Sequence, residues 1–117
     1  SPSDQVRAGG SHRVYLHQSE SNHFVVYMPL RADGRLEPAA PQPWLFEALW
    51  DGYEYVGIFR RGEEGGNYFD WPGREDEPCL TDLGTVPVKV GGTVRIYEGS
   101  STDYDDRVYL VRDVSRV

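Results

Sequence analysis

Three aspartates stand in a stretch of oxygen-bearing side chains. Asp103, Asp105 and Asp106 follow Ser100, Ser101 and Thr102. Ca²⁺ takes about six to eight oxygen ligands, and Asp-rich loops at the end of a β-fold can supply them. Glu75-Asp76-Glu77 and Asp82 would add carboxylates if the fold carries them to the same end. The spacing is not that of an EF-hand, so Ca²⁺ would sit in an inter-strand loop of the kind that assists sugar binding. The plainer account is a solvated connection, because Asp and Ser are ordinary turn residues.

His12, His17 and His23 are the next set with chemical potential. Small metal barrels draw two or three His from adjacent strands, which makes a His-metal barrel enzyme one reading of this chain. Period-two alternation opposes the simplest version. His12 and His17 are five apart, an odd spacing that turns them to opposite faces of one strand. No His-x-His pair is present, and surface histidines are the alternative.

Nucleophilic catalysis has little to build on. No Ser lies in a Gly-x-Ser-x-Gly elbow. Cys79 follows Pro78 in an acidic stretch, where neighbouring anions oppose the thiolate that a nucleophile needs. Gly62, Gly65 and Gly66 flank Glu63 and Glu64, whose charge repels phosphate. The chain therefore reads as leaning away from enzymes.

Aromatic side chains carry the strongest signal. In Trp44 to Phe59 two apolar runs meet at Asp51-Gly52, a pair suited to a type I′ turn with positive φ at both central positions. Closing that turn sets Trp50 opposite Tyr53, Ala48 opposite Tyr55, Phe46 opposite Gly57 and Trp44 opposite Phe59, all on one side of the hairpin. Such a slab is either the inner face of a sheet or a platform for stacking and hot-spot contacts. As a platform it would comprise Trp44, Trp50, Tyr53 and Tyr55, extended by Trp71 and Tyr68, with Arg60 and Arg61 as polar partners. Gly57 favours the inner face, since a ring can lie over the bare backbone of a strand glycine. A helix over Trp44–Trp50 is the competing local structure, because Trp44, Leu45, Ala48 and Leu49 would share a helical face.

The elements that must position these groups are short strands. Alternation predicts strands over Arg13–Gln18, His23–Leu30, Asn67–Trp71, Thr85–Val90, Thr93–Glu98 and Arg107–Val114, besides the hairpin. Gly91-Gly92 would join Thr85–Val90 to Thr93–Glu98. In the last strand Val108, Leu110 and Val114 would share one face. Arg-Val-Tyr-Leu occurs in both terminal strands, which raises the prospect that they pair. Pro29 marks a strand end, and Glu37–Pro43, with three prolines, reads as an extended connection. The expected fold is all-β: an antiparallel β-sandwich or small barrel of about seven or eight short strands, with at most one short helix. Residues 1–11 read as a flexible lead-in, and 12–117 as a single domain.

Composition narrows the partners. The net charge of −7 opposes binding to nucleic acid or an anionic membrane, both of which need clustered cations. No apolar run approaches the ~20 residues of a membrane-spanning helix. Lys89 is the single lysine; the heavy use of Arg, Gly, Pro and Ala matches a GC-rich bacterial genome. The single cysteine makes no internal disulfide, and with no signal peptide in view the cytoplasm is slightly favoured. The start at Ser1-Pro2-Ser3, without Met, points to a processed, tagged or excised N-terminus.

The residues thus support, first, a non-enzymatic module binding a protein partner through an aromatic, Arg-bearing surface. The second reading is a carbohydrate-binding module, with or without Ca²⁺, and the third is the histidine enzyme. A free edge strand would also let two copies pair as a homodimer.

Overall fold

The computed structural model describes residues 12–37, 44–61, 67–70, 79–98 and 105–116. Eight antiparallel strands form a closed barrel: β1 (His12–Ser19), β2 (Asn22–Met28), β3 (Trp44–Trp50), β4 (Tyr53–Arg61), β5 (Asn67–Asp70), β6 (Cys79–Thr81), β7 (Thr93–Glu98) and β8 (Asp105–Arg116). Each strand pairs with the next in sequence, and β8 pairs back onto β1. The all-β antiparallel expectation holds, and of its two forms the chain adopts the barrel. Among the described residues there is no helix. The terminal strands do pair, but Arg13 meets Ser115 and Leu16 meets Val111, so the repeated tetrapeptide does not set the register. Among the described residues, β4 pairs with β5 only over Ile58–Arg61.

The central hairpin forms with the predicted register, Trp50 on Tyr53 through to Trp44 on Phe59. Asp51 and Gly52 have φ of 50° and 86°, as a type I′ turn requires. The helical alternative for Trp44–Trp50 is excluded, because that segment pairs with β2 on one side and β4 on the other. The slab faces inward. Trp44, Phe46 and Phe59 are fully buried, and the Phe46 ring lies against Gly57, where a Cβ would come within 2.8 Å of it.

Aromatic stacking fills the barrel. Phe24 on β2 meets Phe69 at 4.7 Å, Tyr109 at 5.3 Å, Phe46 at 5.9 Å and Trp50 at 6.0 Å between ring centroids. Full burial of each such ring contributes roughly 1.5–3 kcal/mol. With these few large residues the chain builds a core despite an apolar share of 38%.

Two sequence expectations fail, each for a local reason. Thr85–Val90 is not a strand. Pro87 has no N–H to give a ladder, and the Val88 N–H donates to the Gly34 carbonyl at 2.8 Å. Leu36, Leu83 and Val88 are buried there, and they close the base of the barrel. In β8 the expected face is out of phase. Tyr109 and Val111 are buried, whereas Val108 and Leu110 are 46% and 42% exposed. Tyr15 pairs with Asp113 but Leu16 with Val111, which leaves Arg112 as an extra residue. That bulge shifts the alternation by one and returns Val114 to the core. The three-residue strand β6 was also not legible in the sequence.

Candidate functional site

At the end of the barrel opposite this base, here called the mouth, the β1–β2 and β3–β4 turns lie side by side. They are stitched together by backbone and side-chain hydrogen bonds. The Gly52 N–H donates to the Ser21 carbonyl at 3.1 Å, and the Asp51 N–H donates to Asn22 Oδ1 at 3.0 Å. Asn22 is buried, and its amide nitrogen donates to the hydroxyls of Ser19 and Ser21, both at 3.3 Å.

Arg107, near the start of β8, completes this corner. Its Nη1 donates to Asn22 Oδ1 at 2.8 Å and lies 3.2 Å from Asp51 Oδ1. The guanidinium sits over the Trp50 ring, 4.0 Å from its centre. Trp50 in turn meets Phe24 edge-on at 87°. Three segments distant in sequence are thereby locked: the first turn, the second turn and the last strand. Asp51 is largely exposed, so the ion pair itself adds little. The charged hydrogen bond to buried Asn22 and the contact with the indole carry more.

The predicted ligand-binding residues separate on this frame. Trp44 is fully buried beside Phe59 and is a core residue, so it cannot join an exposed platform. Trp50 and Tyr55 are partly buried at the inner rim and pack on the core. Tyr53, beside the turn, is 70% exposed. Arg60 lies on the outer face, where its Nε donates to Asp70 Oδ2 at 2.9 Å, and it does not accompany the inward-facing slab. Trp71 and Asp103 lie outside the described residues, as do Glu75-Asp76-Glu77. Asp105 and Asp106 belong by backbone to β8, paired with Glu98 and Tyr97, so the loop expected to run to Asp106 ends sooner. Asp82 does not lie toward the mouth. It follows β6 on the base side, where its Oδ1 accepts the Arg95 N–H at 2.8 Å.

The histidines do not converge as a three-ligand centre. His12 pairs with Met28 and Arg116, whereas His17 pairs with His23. Five residues of strand separate the two places, roughly 16 Å, and alternation turns them to opposite faces. Among the described residues, no three His, Cys, Asp or Glu side chains are grouped to hold a metal. Of the three histidines, His17 and His23 face each other across β1 and β2, and His12 stands apart from them. Cys79 is buried and belongs to the core cluster.

Sequence reasoning missed Asn22 and Arg107, the residues that organise the mouth. The signal for Arg107 was its spacing of two from Tyr109 and four from Val111, the true inner face of β8. Comparison with protein-family models, with curated proteins and with solved structures finds no match for this chain.

Proposed function

We propose that this chain is a non-enzymatic binding module that recognises a protein partner through the aromatic, Arg-backed rim of its barrel mouth. The observation that supports this most is the exposure of Tyr53 on a turn held by the Arg107–Asn22–Asp51 corner. A ring held on a stiff support loses little entropy when it is buried by a partner, and Tyr is enriched among interface hot spots. A sugar platform asks for two or more exposed coplanar rings. Trp50 and Tyr55, beside Tyr53, are instead partly packed into the core. This reading calls on no cofactor.

The test is selection of peptides or small protein domains from a displayed library against the intact chain, with a glycan array run in parallel with and without Ca²⁺. Ligands that lose roughly tenfold or more in affinity with Tyr53→Ala, as hot-spot truncation does, and keep it with Val90→Ala on the base turn would support the reading. Protein ligands indifferent to Tyr53 would overturn the rim placement. A Ca²⁺-dependent glycan signal with no protein ligand would replace it with the carbohydrate reading.

A further inference from the structure

The pairing of β1 with β2 sets His17 directly opposite His23. Their neighbours Leu16 and Phe24 point inward and are fully buried, so both imidazoles lie on the outer face of the barrel. Tyr15 shares that face and lies alongside both rings. Its centroid is 6.2 Å from that of His17 at an interplanar angle of 17°, and 5.6 Å from that of His23 at 22°. The Nδ1 atoms of both histidines are shielded from solvent and have no hydrogen-bond partner. Leu110 and Leu49 stand next to the pair on the flanking strands.

We propose that His17 and His23 form a two-histidine chelate for a borderline divalent transition metal such as Cu²⁺, Zn²⁺ or Ni²⁺. Directly opposed side chains on antiparallel strands have Cβ atoms about 4.5–5.5 Å apart, within which two imidazoles can share one ion at metal–nitrogen distances of about 2.0–2.1 Å. Imidazole nitrogen is a preferred donor for these three metals. Tyr15 holds the two rings in similar planes, which lowers the entropy lost on chelation. Each ring has an inward nitrogen bound to nothing, so a half-turn about Cβ–Cγ breaks no hydrogen bond, and either nitrogen can be turned to the ion.

The same orphaned nitrogens limit the affinity. Tight histidine sites fix each ring through a hydrogen bond from its second nitrogen, and these rings have none. Water would complete the coordination. The site does not depend on the Tyr53 rim, so either proposal can fail without the other.

Cu²⁺ titration of the intact chain, followed by electron paramagnetic resonance and calorimetry, is the deciding experiment. The expected result is one equivalent of Cu²⁺ whose spectrum carries coupling to two imidazole nitrogens. Removing one arm of a chelate forfeits its effective concentration, so His17→Gln and His23→Gln should each weaken binding roughly tenfold or more. His12→Gln should leave it unchanged. Coupling to a single nitrogen in the unaltered chain, or full binding in the His17→Gln/His23→Gln double variant, would overturn the chelate and assign the ion to an adventitious site. The spectrum of the unaltered chain answers the question even if a variant folds poorly.

Discussion

The Arg107 guanidinium lies 4.0 Å from the centre of the Trp50 ring while its Nη1 donates to Asn22 Oδ1 at 2.8 Å, so one side chain joins the last strand to both turns of the mouth. The partners contribute unequally. Asp51 is exposed and its charge is screened, whereas Asn22 is buried and its Oδ1 serves two donors, Arg107 and the Asp51 N–H. Asn22→Ala should cost about 2 kcal/mol in urea unfolding, because it strands two part-buried donors, one of them charged. Asp51→Asn keeps a side chain tolerant of positive φ and should cost under about 1 kcal/mol. Equal losses in the two variants would place the energy in the ion pair instead.

Arg107→Lys retains the charge and loses the planar fork. A lysine ammonium cannot stack its face on Trp50 while serving the same acceptors. A loss of about 1–2 kcal/mol is expected, with a shift in tryptophan emission as Trp50 becomes wetter. An unchanged melt and emission would show that charge alone suffices at this corner.

Gly57→Ala tests the ring-over-backbone contact. A Cβ there would come within 2.5 Å of the Asp70 carbonyl oxygen and 2.8 Å of two Phe46 ring carbons. Neither neighbour can give way easily, since one is backbone and the other a fully buried ring. Denaturant unfolding should show a loss of about 1–3 kcal/mol from overpacking, despite the better strand propensity of alanine. A neutral outcome would mean that β4 and β5 separate freely at this point.

Phe24→Ala and Tyr53→Ala should lie at opposite ends of the scale. Among the described residues Phe24 meets the rings of Phe46, Trp50, Phe69 and Tyr109, and its truncation opens a cavity worth about 3–5 kcal/mol. Tyr53 is largely exposed, and its loss should move stability by no more than about 0.5 kcal/mol. Similar effects in the two would contradict the inner-face assignment.

Burial, with a smaller contribution from the Arg116 charge, lowers the pKa of His12 below its ordinary value of 6.5. The folded chain then resists a proton that the unfolded chain accepts. The stability associated with a neutral His12 is present above pH 6.5 and is lost as the pH falls through the lowered folded value. His12→Gln should therefore flatten the stability–pH curve as the pH falls below 6.5, read from urea midpoints. An unaltered slope would assign the titration elsewhere.

Local chemistry was enough to make the hairpin legible. Asp51-Gly52 admits a tight turn, and period-two alternation then dictates every partner from Trp50–Tyr53 to Trp44–Phe59. The same alternation separates His12 from His17. What alternation cannot do is say which side of a sheet becomes the interior. In β3 and β4 the aromatic side is the inner one, which takes Trp44 out of any exposed platform and leaves Arg60 on the outer surface with Asp70. In β8 a single bulged residue, Arg112, reverses the pattern partway along the strand, so counting by twos from Val114 reaches the wrong face. Closure of β8 on β1, the Arg107–Asn22 bond and the approach of His17 to His23 depend on strand order and register. Those are settled when the whole sheet curls to bury its large rings together, a condition that no short stretch of sequence contains.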